Sequence, residues 1–345
     1  MEFLNLFPHP IIQGPMAGGS NTPAQVAAVS NAGGLGSVGA SLLAPDTIRA
    51  QVAEIRRLSD KPFMLNFFVQ NTPSPSDEEV ARAKELLRPV WESLGWDSLP
   101  TPAKWCEDFT AQFETLIELK SAVASFTFNI LERAQVERLH AAGIAVVGTV
   151  TTVGEAQAWE SIGADAVVAS GVEAGGHRGT FLVDQREATM GALELLAAVV
   201  KAVQIPVISA GNIMTGADIR ERLAMGASAV QMGTAFLVTE ESGIHPSYKQ
   251  RLLHAGNAPT RLTRTFSGRY ARGLENTFMQ HLSAVELQLP PYPVQNALTG
   301  SIRAEAAKRG DTELMSMWCG TGVARARSMS CAQLMETLVA EMHQA

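Results

Sequence analysis

Ala166-Val167-Val168-Ala169-Ser170 runs directly into Gly171-Val172-Glu173-Ala174-Gly175-Gly176-His177-Arg178-Gly179. The first five residues read as a strand buried on both faces, because the apolar residues follow one another without polar alternation. The glycines that follow bring bare backbone N–H groups close to whatever lies beyond the strand, as an anion such as phosphate requires. One imidazole stands among them, a group able to move protons near neutral pH. Strand, glycine cradle and histidine in that order point to a cofactor and a base at the mouth of a barrel.

Seven more short apolar runs flank this one: Ile11–Met16, Gly34–Val38, Phe63–Phe68, Ala122–Phe128, Ala145–Val150, Pro206–Gly211 and Ala229–Phe236. Segments with helical spacing lie between most of them, among them Pro23–Asn31, Leu131–Ala142, Val153–Ile162, Ala192–Val203 and Ala217–Met225. Eight strand–helix alternations predict an α/β chain folded as a TIM (β/α)₈ barrel, with an open doubly wound sheet as the other topology of this pattern. Residues 1–236 and 301–345 are assigned to the barrel. Residues 71–120, with Pro73, Pro75, Trp91, Trp96 and Trp105, read as an elaborated loop after the third strand. Residues 237–300, inserted after the eighth strand, read as a smaller substrate or lid domain.

With 345 residues and 46% hydrophobic content the chain can bury one large core or two modest ones. A net charge of −7 argues against nucleic acid or an anionic membrane as partner. Cys106, Cys319 and Cys331 are odd in number and scattered, with neither zinc spacing nor a disulfide framework, as expected in a reducing compartment. No basic segment followed by an apolar one marks a signal peptide, and no apolar run approaches the roughly 20 residues of a membrane span. The expected location is the cytoplasm.

Gly34-Leu35-Gly36-Ser37-Val38-Gly39 matches the dinucleotide fingerprint G-x-G-x-x-G in the wrong context. That fingerprint leaves a strand and opens a helix, whereas these glycines follow a helix and form the second strand, where they serve close packing. Ser209-Ala210-Gly211-Asn212-Ile213 and Gln231-Met232-Gly233-Thr234-Ala235 end the seventh and eighth strands, the place where barrels hold phosphate; the other reading is ordinary tight turns. His177 is the one histidine of seven with a supporting motif, for proton transfer or substrate orientation, or else to anchor its loop. Glu173 reads as a turn cap or a partner of Arg178. Asn66 either reads a heterocycle edge with its amide or holds its own loop. Gln13, Gly14, Pro15 and Met16 end the first strand and are candidate cofactor-binding residues, Pro15 and Met16 offering a surface for a planar ring or for the core. Arg261, Arg264, Arg269 and Arg272 either attract an anionic substrate or form a solvated face.

Together these blocks, with Asn66-Phe67-Phe68, Ser125-Phe126-Thr127-Phe128 and Ser267-Gly268-Arg269, resemble the bacterial FMN-dependent nitronate monooxygenases, also known as 2-nitropropane dioxygenases. The resemblance spans nearly the whole chain and implies FMN at the strand C-termini. It implies that Asn66 and Gln231 bind FMN, that backbone at Gly175, Gly176, Gly211, Gly233 and Thr234 holds its phosphate, and that His177 is the active-site histidine. Thr127, Ser267, Arg269 and Tyr292 are implied on the substrate and lid side. The implied reaction takes an alkyl nitronate, propionate 3-nitronate foremost, and O₂ through a flavin semiquinone to an aldehyde and nitrite. The implied partners are a small nitronate or nitroalkane and O₂, with monomer and homodimer both open and no metal.

Four departures from the family pattern bear on the substrate. Asn212 replaces a glycine, Thr127 stands where some relatives have histidine, and Val294–Gly300 lacks the tyrosine and lysine that follow Tyr292-Pro293 in some relatives. Cys319-Gly320-Thr321-Gly322 replaces a more usual Ala-Gly-Gln-Gly. The alternative activity is an NADH-dependent flavin reductase of the enoyl-ACP reductase or NADH:quinone reductase type, similar in the barrel and in the Gly-Gly-His segment. The Arg178-Gly179 continuation and the long lid favour the nitronate enzyme.

Overall fold

The computed structural model describes residues 3–344; positions 1, 2 and 345, assigned to the barrel from sequence, lie outside them. All eight apolar runs become strands of one parallel sheet: β1 (Ile11–Gln13), β2 (Gly36–Gly39), β3 (Phe63–Phe68), β4 (Val123–Thr127), β5 (Ala145–Val150), β6 (Ala166–Ser170), β8 (Val207–Ala210) and β9 (Ala229–Met232). Their order is β1-β9-β8-β6-β5-β4-β3-β2. The ends meet through a bridge between Ile12 and Leu35, where Leu35 N–H donates to Ile11 O and Gln13 N–H to Leu35 O, each at 3.0 Å. The fold is a TIM barrel with helices outside. Two strands, β1 and β9, stop well short of their apolar runs. Pro15, without an N–H, cannot extend β1, and after β9 the chain turns into the helix Thr234–Leu237.

The barrel interior is packed. Ile12, Leu35, Met64, Val147, Val168 and Ile208 form one buried cluster with Phe3 and Phe7, whose rings lie 5.5 Å apart against the strand starts. Only the carboxyl ends of the strands are left for a ligand. The glycines of the second strand serve packing: a Cβ on Gly36 would lie 2.2 Å from Val26 O, and one on Gly39 2.4 Å from Ala17 N.

A second core sits over those carboxyl ends. It joins Val90, Trp91 and Leu94 from the 71–120 insertion to Phe266, Phe278, Leu298, Ile302 and Met317. The helix Gly300–Arg309 therefore packs in this second core through Ile302 and Ala306. Cys331–His343, by contrast, packs on the barrel wall through Leu334, Met335 and Leu338. A three-stranded antiparallel sheet joins the two layers: β10 (Thr260–Thr263), β11 (Ala271–Leu274) and β7, the dipeptide Gly176–His177. Ala271 pairs with His177 and Arg272 with Gly176. Read from sequence as a loop, the Gly-Gly-His segment is instead strand-paired to the lid.

Gln13 closes the barrel seam. Its amide accepts from Ser37 N–H at 3.1 Å and donates to Ser37 O at 3.2 Å and Gly14 O at 2.9 Å, while the Ser37 hydroxyl donates to Gln13 O. Fully buried, it extends the β1–β2 ladder where the backbone pairing is short. Gln13→Ala leaves Ser37 N–H unpaired and is expected to lower unfolding free energy by about 2 kcal/mol, read by urea denaturation. An unchanged urea midpoint would mean that the amide does not hold the seam.

Candidate active site

A cavity of about 640 Å³ opens between the strand ends and the second core, within the range of small-molecule and cofactor sites. Asn66 and Phe68 from β3, Thr127 from β4, Ser170 from β6, Ala210 from β8 and Gln231 from β9 line its barrel side. Tyr292, Asn296, Arg303 and Trp318 line its lid side. Of the positions singled out from sequence, Gly14, Pro15, Met16, Asn66, Thr127, Gly175, Gly176, His177, Gly211, Gln231, Gly233, Thr234 and Tyr292 are brought together here. Gln13, Ser267 and Arg269 do not line it.

One end of the cavity is built of small residues from four loops. Gly175 packs against the 319–320 backbone so closely that a Cβ would lie 2.5 Å from the Cys319 carbonyl carbon. Gly176 has φ +76° and a Cβ there would meet no atom within 4 Å, because it would enter open space. The Thr234 hydroxyl oxygen accepts from Gly320 N–H at 2.9 Å, leaving its own proton to donate. Gly211 and Gly322 complete the lining. Lined by glycine backbone and the Thr234 hydroxyl, with no carboxylate among the described lining residues, this end fits a phosphate. At the barrel mouth, the Asn66 NH₂ donates to Ser125 Oγ at 2.9 Å and contacts Thr127 Oγ1 at 3.3 Å, so its oxygen is the atom left for a ligand. Pro15 and Met16 present an apolar wall beside Gln231. These residues fit FMN: an end that receives an anion, an apolar flank and amides at the edge.

His177 stands among rings. Its centroid is 5.4 Å from Trp318, 5.5 Å from Phe128, 5.8 Å from Tyr292 and 6.3 Å from Phe68. Phe128 follows β4 with φ +82°, a conformation that costs a bulky residue about 1–3 kcal/mol. Stacking on Phe68 at 4.0 Å and the Arg269 guanidinium 4.2 Å above its ring hold it there. His177 Nε2 lies 2.8 Å from Ser267 Oγ, and the Ser267 hydroxyl donates to Arg269 O at 3.0 Å. A hydroxyl has one proton to give, so Ser267 accepts from Nε2–H and the lone pair of the neutral ring falls on Nδ1. Burial, with smaller contributions from Arg269 and Arg303, pushes the His177 pKa down to about 3. The ring is neutral across the physiological range.

Several readings of single residues change. Glu173 caps a helix, its carboxylate accepting Ala192 N–H at 2.8 Å. Arg178, 1% exposed, staples its own loop by donating to Ser170 O, Gly171 O and Ala188 O. The arginine run is neither a solvated face nor a cavity wall. Arg261 meets Glu275 and Glu286, Arg264 donates to Leu289 O, and Arg272 donates to Val172 O. Arg269 donates to Arg178 O at 2.8 Å and to Thr180 O, which puts it behind the Phe128 ring. Sequence reasoning assigned no role to Phe128, Trp318, Asn296 or Arg303. Only Arg303 carried a signal: a cation in the first turn of a helix, at the positive end of its dipole.

The family model described as nitronate monooxygenase matches residues 2–341. The chain belongs to the nitronate monooxygenase family. It is 41% identical over 336 residues to a probable nitronate monooxygenase of Staphylococcus haemolyticus (strain JCSC1435), covering 97% of this chain and 94% of that one. It is 38% identical over 344 residues to one of Bacillus subtilis (strain 168), covering 99% and 98%. The structure of nitroalkane oxidase from Streptomyces ansochromogenes superposes with a TM-score of 0.91 at 39% identity, covering 99% of this chain and 98% of that one. FabK from Thermotoga maritima follows at 0.76 and 30%, covering 98% and 94%. Nitronate monooxygenases are flavin oxidoreductases, and this chain is an enzyme of that class. Among the described residues, no helix is long and apolar enough to cross a membrane.

The neutral histidine has a measurable consequence for stability. Its native pKa lies below the unfolded value near 6.5, so between about pH 6.5 and 3 the unfolded chain binds a proton the native chain does not. That contribution is whole above pH 6.5 and is lost as pH falls. Replacing His177 with Asn removes it. The melting temperature of the variant relative to the native protein is expected to rise from pH 7 to pH 5, by the equivalent of up to about 2 kcal/mol. A difference independent of pH would mean that the ring titrates normally.

Proposed function

We propose that this protein uses bound FMN and O₂ to oxidise alkyl nitronates, propionate 3-nitronate foremost, to an aldehyde and nitrite. Backbone at Gly175, Gly176, Gly211 and Gly233, with the Thr234 hydroxyl, would hold the phosphate, and Asn66 and Gln231 the ring edge. When bound, FMN supplies the one-electron chemistry with O₂ that no side chain of the cavity possesses. The observation that carries the reading is the neutral His177 in a cavity with no carboxylate among its described lining residues. A nitronate arrives as an anion and needs a positive, carboxylate-free site more than it needs a strong base.

His177 then has two tasks of unequal weight. With a nitronate, the ring, fixed from behind by Ser267, positions the anion among Phe68, Phe128, Tyr292 and Trp318, which exclude water. With a neutral nitroalkane, the lone pair on Nδ1 takes the proton from carbon. A base held near 3 does this poorly until an anion raises its pKa.

Oxygen uptake by the FMN-loaded protein with propionate 3-nitronate and no NADH tests the proposal; rapid uptake with nitrite release is expected. No uptake, together with NADH oxidation on enoyl or quinone acceptors, would transfer the protein to the flavin reductases. His177→Asn is expected to keep FMN while losing roughly 10²–10⁴-fold in kcat/KM with neutral nitroalkane and much less with pre-formed nitronate. Equal losses on both would remove the base assignment.

A further inference from the structure

Among the described residues lining the cavity, Arg303 is the only Arg, Lys, Asp or Glu. It comes from the first turn of the helix Gly300–Arg309, where no acidic residue offsets a cation at the positive dipole end. Its Nη2 donates to Asn296 O at 2.8 Å and Oδ1 at 3.0 Å, which orients the guanidinium. Its Nε is buried without a partner. The Tyr292 hydroxyl, lining the same wall, is also buried without a partner. Gly300, one turn earlier, leaves open space where a side chain would begin.

Two nearby arginines show what a satisfied one looks like here. Arg178 donates to three carbonyls, Arg269 to two while lying over Phe128, and the negative charge of Glu155 acts on both. No carboxylate pairs with Arg303, and burial pushes its pKa down to about 10. A partly buried guanidinium with unpartnered N–H groups is unfavourable until an acceptor arrives, and carboxylate is the planar anion its fork fits. The phosphate end of the cavity is built elsewhere, from the loops at Gly175, Gly211, Gly233 and Gly320.

We propose that Arg303 and the Tyr292 hydroxyl form a carboxylate subsite that docks the far end of the substrate while its nitronate end lies at His177. The inference rests on the nitronate reading and names the residues that select within it. This chain prefers nitronates bearing a second, carboxylate anion to nitronates with an uncharged tail.

The test compares native protein, Arg303→Met, Arg303→Lys and Tyr292→Phe, all loaded with FMN. For each, kcat/KM is measured with propionate 3-nitronate and with propyl 1-nitronate, which lacks the carboxylate. Binding of malonate, an unreactive dicarboxylate, is followed through the flavin absorbance spectrum. Arg303→Met is expected to lose roughly 10- to 100-fold in kcat/KM with the carboxylated substrate, mostly in KM, and about tenfold less with the other. Arg303→Lys recovers part of the loss, malonate binding weakens in parallel, and flavin content stays constant. Equal losses on both nitronates, or loss of flavin, overturn the subsite. If the native protein oxidises neither nitronate yet binds malonate through Arg303, the nitronate reading fails and the anion site stands.

Discussion

Everything at the site depends on the pairing of two residues, Gly176 and His177, with Arg272 and Ala271 of the lid sheet. The pairing continues on either side: Arg178 N–H donates to Tyr270 O at 2.8 Å, and Arg272 Nε to Val172 O at 2.7 Å. The loop after β6 is thereby a strand of the lid and the outlet of a barrel strand at once. It carries the cradle glycines on one side of the register and the histidine on the other. A shift of one residue would turn the imidazole to the opposite face of the sheet. Arg178, stapled to three carbonyls, keeps that shift from occurring.

The electrostatic design follows from where the acids are placed. Glu155 is buried under the 180–182 loop and accepts from Thr180 Oγ1, Phe181 N–H and Leu182 N–H. Burial works against its ionisation, but these bonds outweigh it and hold its pKa below the usual value. Its charge is felt by Arg178 and Arg269, the arginines that hold the scaffold. The cavity itself is lined by Arg303 and a neutral imidazole, with no acid among the described lining residues. A positive field therefore faces the ligand and a compensated one faces the core, the division an enzyme for anions requires.

Much of the fold was legible because it is periodic. Eight apolar runs separated by helices imply a parallel barrel from local pattern alone, and β3, β5 and β6 have the ends read from sequence. The glycine loops and His177 were legible because glycine at a strand end has few explanations. Gln13 misled because a buried amide at a strand end looks the same whether it meets a ligand or the neighbouring strand. The arginine run misled because a guanidinium in sequence carries no sign of the carbonyl it will reach.

By itself the sequence determined the barrel, the small-residue end of the cavity and the one histidine with a chemical setting, since these follow from periodicity and backbone freedom at adjacent positions. Tertiary structure alone decided that His177 is strand-paired to the lid, that Ser267 assigns its tautomer, and that Arg303 and not the 261–272 run lines the cavity. These are contacts between residues 90 or more positions apart. Their energies depend on burial and on which acceptors lie within about 3 Å, quantities that exist only once the chain has closed.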